Sequence, residues 1–138
     1  MEFYCLEEFK KQYLKLISKK SYQELEKETI EYFSNKNIDE LKAGTRLNNS
    51  NETPYIKKRI SGSGGYRFYF LLLIKKEKLY FMFVHPKTGS LGAENITDLA
   101  KKELQDRVYT AIKFNNLYKV VFKENKIAFE HLNKKIQR

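Results

Sequence analysis

The sequence predicts an α+β fold. Apolar residues recur at three- and four-residue spacing over the first 33 residues and again from about residue 99 to 112. Between residues 55 and 84 they come instead in short dense runs separated by turn residues. Helical and strand-like segments are thus segregated along the chain, where an α/β chain would alternate them.

Taken in order, Glu2 to Cys5 reads as a short strand. Leu6, Phe9, Tyr13, Leu16 and Ile17 line one face of a first helix. Ser21 and Glu24 form an S-x-x-E capping box, which predicts that a second helix opens at Ser21, with Tyr22, Leu25, Thr29, Tyr32 and Phe33 inside. Ile38 to Ala43 adds a turn of helix before Gly44, and Asn48 to Pro54 is a polar loop. Tyr55 to Ile60 is a strand with Tyr55, Lys57 and Arg59 on one face and Ile56, Lys58 and Ile60 on the other. Ser61 to Gly65 (SGSGG) turns the chain into Tyr66 to Ile74, which is apolar on both faces except at Arg67 and reads as a central strand. Lys75 to Lys78 is a turn, and Leu79 to Val84 a further apolar strand, broken by Pro86 and Gly89. Asn95 or Thr97 caps a helix with Leu99 or Ala100, Leu104, Val108, Ala111 and Ile112 inside. Leu117 to Lys123 and Lys126 to His131 form a last hairpin.

The 138 residues fit one domain, with residues 1–43 helical, 44–91 the core sheet and 92–138 an extension of helix and hairpin. Hydrophobic residues at 41% supply a core and argue against disorder. The single cysteine, Cys5, excludes an internal disulfide and a multi-cysteine zinc site, and two histidines make a His-rich metal site improbable. No metal or cofactor is expected. The longest apolar run, Phe68 to Ile74, is far short of the ~18 residues a spanning helix needs. The N-terminus is acidic and lacks a long apolar stretch, so no signal peptide is expected and the cytoplasm is the expected location.

Net charge is +10, unevenly spread. Residues 1–50 balance nine basic against nine acidic side chains, while residues 51–91 carry eight basic and two acidic ones. A concentrated basic excess on a folded domain favours a polyanionic partner such as nucleic acid. The competing reading is charge that serves only solubility.

SGSGG has no Lys-Ser/Thr behind it and precedes a strand, so it is neither a P-loop nor a dinucleotide fingerprint. The basic cluster around it is more informative. Lys57 and Arg59 share a strand face, Arg67 opens the next strand, and His85 and Lys87 end the one after. In a meander these side chains converge. Each also has a structural reading: Arg67 in a salt bridge to Glu52, Glu94 or a helix carboxylate, and Lys57 and Lys58 as charges that guard a sheet edge. Cations with an imidazole, and with neither carboxylates nor metal ligands, suit phosphodiester chemistry on RNA. There the 2′-hydroxyl attacks the adjacent phosphate, cations stabilise the phosphorane, and a Lys or His moves protons.

The stretches Gly44-Thr-Arg-Leu47, Tyr55-Ile-Lys-Lys-Arg-Ile60, Gly64-Gly-Tyr-Arg-Phe-Tyr-Phe70 and Leu79-Tyr-Phe-Met-Phe-Val-His-Pro-Lys87 resemble the RelE/HigB-like toxins of bacterial type II toxin–antitoxin systems. The resemblance covers residues 44–87 and implies a RelE-like fold, with N-terminal helices packed on an antiparallel sheet. It implies an mRNA endoribonuclease, ribosome-dependent or free, that inhibits translation and is neutralised by a cognate antitoxin; the expectation here is that the ribosome supplies part of the site. By the motif, Lys57 and Arg59 fall on the basic strand, Arg67 on the phosphate-binding position, and Lys87 on the C-terminal basic position. His85 stands where the HigB-like branch often has Tyr. Residues 88–96 hold no Tyr or His, so His85 or a neighbouring Tyr is left to carry the proton, or nothing does, and His85 is the expected carrier. Lys58, Tyr66, Tyr69, Lys75 and Lys76 are the expected further RNA contacts.

Two rival readings accompany this one. A non-catalytic RelE-like inhibitor, for example a mobile-element anti-defence protein, would grip RNA or a ribonucleoprotein without cutting it. A ParE-like toxin would act on gyrase.

Overall fold

Seven strands form one mixed sheet in the order β2-β3-β4-β5-β1-β6-β7. They are β1 (Glu2–Cys5), β2 (Thr45–Arg46), β3 (Tyr55–Ile60), β4 (Tyr66–Leu73), β5 (Lys78–Pro86), β6 (Tyr118–Phe122) and β7 (Ile127–His131). The computed structural model describes residues 1–60, 65–87 and 96–132. Ser61 to Gly64 of the expected SGSGG turn lie outside the described residues. β2 to β5 form an antiparallel meander, β1 runs parallel to β5, and β6 returns antiparallel beside β1. The first strand and the last hairpin therefore join the same sheet as the meander, so the parts distinguished along the sequence interleave in space.

Helices cover both faces. α1 (Glu7–Ile17), α2 (Leu25–Ser34) and the short α3 (Ile38–Leu41) lie on one side, and α4 (Asp98–Phe114) on the other. The alternation of β4 supplies both cores at once. Phe68, Phe70 and Leu72 face α1–α3, while Tyr69 and Leu71 face α4. Phe33 of α2 meets Phe68, Phe70 and Phe81 with ring centroids 4.7–5.5 Å apart, and Phe9 of α1 stacks on Phe81 at 4.8 Å. Truncating an aromatic residue at such a hub costs about 3–5 kcal/mol.

Several element starts differ from expectation. Lys20–Tyr22 form a 3₁₀ turn, and α2 begins at Leu25 without the Ser21–Glu24 box. Tyr22 packs edge-on to Tyr66 at 6.2 Å, and this contact holds the chain in the tighter turn where the box would have begun a helix. A capping box does form one helix later. Asn37 Oδ1 accepts from Glu40 N–H at 2.9 Å and Glu40 Oε1 from Asn37 N–H at 3.1 Å, which gives the four-residue α3 a defined start. Thr97 rather than Asn95 caps α4, its hydroxyl accepting from Ala100 N–H, and Asn115 closes that helix with φ 55°. Ala100 belongs to the inner side, since Leu99 is 67% exposed.

The Glu26 carboxylate helps tie the C-terminal hairpin to the helical layer. Glu26 Oε2 accepts from the Tyr13 hydroxyl and from Ile127 N–H, each at 3.0 Å. The second contact also covers a backbone donor on the sheet's outer strand, β7.

One irregularity sets the geometry of the basic cluster. Tyr69 pairs with Phe83 but Phe70 pairs with Phe81, so Met82 has no opposite residue and forms a β-bulge. Before it, Leu79 and Phe81 face α1–α3; after it, Val84 faces that side and Phe83 the α4 side. Unbroken alternation from Leu79 would send His85 toward α1–α3. The extra residue turns it to the α4 face.

Candidate nucleic-acid interface

β3, β4 and β5 extend past the rest of the sheet at one end. β1 pairs with β5 only as far as Phe81, and β2 pairs with β3 only at Ile56 and Lys57. On this projecting three-stranded end the register aligns Arg59 with Arg67 and Arg67 with His85, with Lys57 beside Tyr69. All these side chains share the α4 face. Lys87 follows one rung on, its N–H donating to Gly65 O at 3.1 Å, and alternation from His85 puts it on the same face. The five residues expected to carry the chemistry, Lys57, Arg59, Arg67, His85 and Lys87, are therefore brought together.

Arg67 is only 8% exposed, and its Nη1 has no hydrogen-bond partner among the described residues. None of the ion pairs among those residues involves Arg59, Arg67 or Lys87, and Glu52 is not a partner of Arg67. Glu94 lies outside the described residues. A buried guanidinium with an unused donor is costly unless an anion meets it. A second guanidinium adds to that cost. A Cβ placed on Gly65 would stand 3.2 Å from Arg59 Nε and 3.5 Å from Arg67 Nη1, so both cations converge on the bare glycine. Gly65 has φ 73°, a conformation glycine adopts without strain. The two like charges repel each other, less than a fully buried pair would because Arg59 is exposed.

His85 is 3% exposed, with both ring nitrogens engaged. Pro86 O lies 3.0 Å from Nδ1, and a carbonyl only accepts, so Nδ1 carries the proton. Nε2 then accepts from the Tyr69 hydroxyl at 3.1 Å, and Tyr69 Oη in turn accepts from Ile96 N–H at 3.4 Å. Burial holds the imidazole below its ordinary pKa, and the charges of Arg67 and Lys57 push the same way, partly offset by the Pro86 hydrogen bond. Burial thus favours the neutral form of His85 inside the site. The expected proton carrier is therefore enclosed, with no ring nitrogen left unengaged.

The further RNA contacts expected from sequence are not gathered here. Tyr69 is fully buried, its ring stacked on His85 at 5.6 Å, so no ring face is open to a base. Tyr66 points to the α1–α3 face and is 3% exposed. Lys58 also points to that face, since neighbouring strand residues alternate, and Lys75 and Lys76 sit in the turn at the far end of β4.

Two features of the site leave almost no mark in the sequence. The Gly65 cradle is one; the only signal for it is a glycine directly before the strand that opens with Tyr66-Arg67. The other is how α4 is fastened. The Tyr55 hydroxyl donates to Lys101 O at 2.9 Å, and Tyr69 holds Ile96, so tyrosines two residues from Lys57 and Arg67 anchor the start of the helix beside the site.

The chain matches no protein-family model and no curated protein.

Proposed function

We propose that the projecting end of the sheet binds an RNA phosphodiester, and that the protein is a RelE-like inhibitor of translation that acts on mRNA at the ribosome and is held in check by an antitoxin. The observation that carries the reading is Arg67, a buried cation with an unused donor that shares the Gly65 cradle with Arg59. Guanidinium pairs suit phosphate because they offer fixed donors in the plane of the oxygens. Arg59, Arg67 and Lys87 at a strand end, with no carboxylate joining them among the described residues, select for an anion.

Binding of single-stranded RNA across a salt series tests this. Four phosphate contacts, from Lys57, Arg59, Arg67 and Lys87, give log K against log salt a slope near −3. A flat response removes the phosphate-binding reading.

A second reading is metal-independent cleavage, favoured by the half-buried Lys57 and Lys87 on the face of Arg67. With His85 neutral and enclosed, these lysines are the groups left to move protons while Arg59 and Arg67 stabilise the phosphorane. Incubating a translated message with purified ribosomes and the protein separates the two. Cut products support the enzyme, and translation arrest on intact message supports the binder.

A further inference from the structure

The two faces of the sheet meet at β3, where pairing with β2 stops at Lys57. Beyond that point Arg59 leaves β3 toward the phosphate site and Lys58 leaves it toward the helices. Lys58 Nζ ends 5.8 Å from the centroid of the Tyr32 ring, and Lys36 Nζ lies 5.1 Å from the same centroid. Tyr32 is half-buried near the end of α2, its ring edge-on to Phe33 at 4.9 Å. Neither lysine joins an ion pair among the described residues. Of the acids on the adjacent α3, Asp39 pairs with Lys42 at 3.3 Å, and Glu40 accepts from Asn37 N–H while acting on the Tyr32 hydroxyl.

We infer that Tyr32, Lys36 and Lys58 form a second subsite for single-stranded RNA, on the opposite face from Arg67 and reached by a strand that passes over the edge of β3 at Arg59. The inference rests on the phosphate-binding reading of the first site. Two ammonium groups beside one ring, neither in an ion pair among the described residues, offer charge to the phosphates that flank a base at that ring. A half-buried tyrosine ring offers a stacking surface that tolerates any base. Since the two groups of cations lie on opposite faces, a single phosphate reaches only one of them. The ligand is then an extended strand of several nucleotides with a bend at the sheet edge.

Binding of a dinucleotide and of a single strand of about a dozen nucleotides, to the wild type and to two variants, tests this. Lys36→Gln combined with Lys58→Gln leaves the core intact. It should weaken the longer strand about tenfold and make its salt slope shallower by about 1.4, at ~0.7 for each phosphate no longer neutralised. Tyr32→Leu, which keeps the apolar packing, should also weaken the longer strand about tenfold, as loss of one stacked base does. Dinucleotide binding should stay within twofold in both. If the wild type binds the two ligands equally, or the lysine variant weakens both alike, the second subsite is overturned and the first site stands. If the wild type binds neither, the phosphate reading itself fails and takes this inference with it.

Discussion

Tyr69 Oη and His85 Nε2 lie 3.1 Å apart inside the protein, and this hydrogen bond, with the one to the Pro86 carbonyl, fixes the orientation of the imidazole, while burial favours its neutral form. The pair joins β4 to β5 directly beside Arg67. A proton added to His85 would meet the Tyr69 hydroxyl, which now donates to it, and the nearby charges of Arg67 and Lys57. The imidazole therefore shapes the site as an uncharged spacer between cations.

The sign of its pH dependence follows. The folded His85 pKa lies below the ordinary 6.5, so the unfolded chain takes up this proton first. Its contribution to stability is complete above about pH 6.5 and falls away as the pH drops through the window below that value. Urea unfolding at pH 7.5 and pH 5 should show the loss, and His85→Gln should flatten it. Histidine NMR titration reads the same pKa directly; a value above 6.5 would sink the neutral assignment.

Glu26 supports a prediction about the fold alone. Its carboxylate serves the Tyr13 hydroxyl and Ile127 N–H together. Glu26→Ala strands both donors, and hydrogen bonds to a charged group are worth about 1.5–3 kcal/mol each, so a loss of at least 2 kcal/mol in denaturant unfolding is expected. Glu26→Gln keeps an acceptor and should lose less. Hydrogen exchange at Ile127 should speed up in both. Unchanged exchange there would mean that Glu26 does not hold the hairpin and that its other contacts to α1 do.

The sequence makes the elements legible and part of the site. Hydrophobic period locates the long helices and the long strands, because those segments bury whole faces and their pattern records it. Alternation on β3 correctly puts Lys57 and Arg59 together and Lys58 opposite. It does not anticipate Met82, since a bulge leaves no mark in an unbroken apolar run, and that one residue decides the face of His85. Burial is equally hidden. Tyr69 reads as an aromatic residue within a basic stretch, but the covering α4 turns it into a core residue. The Ser21 box fails where Tyr22 packs on Tyr66, a long-range contact that a local motif does not encode.

Gly65 carries a prediction of its own. Its φ of 73° strains any L side chain, and an added methyl group would enter the space shared by Arg59 and Arg67. Gly65→Ala should cost about 1 kcal/mol or somewhat more in stability. It should also weaken RNA binding several-fold, since the methyl takes space the phosphate would use. Full affinity in this variant would place the bound phosphate elsewhere.

Arg67 distinguishes a structural cation from a functional one. A structural ion-pair member, once removed, leaves a buried carboxylate stranded and destabilises the fold by about 3–5 kcal/mol. Arg67 has no such partner among the described residues, and its Nη1 is already unsatisfied. Arg67→Met fills much the same volume without the charge and relieves the repulsion from Arg59. Its stability should be equal to that of the wild type or higher. Affinity for single-stranded RNA should nevertheless fall about ten- to a hundredfold, the worth of one charge-assisted hydrogen-bond set at about 1.5–3 kcal/mol. The salt slope should become shallower by about 0.7, the share of a single phosphate. Arg67→Lys restores the charge but not the paired donors, so it should recover the slope and only part of the affinity. Thermal unfolding beside RNA titration gives both readouts on the same protein. A variant that loses binding only because it unfolds would return Arg67 to a structural role and leave Arg59 and Lys87 to carry the site.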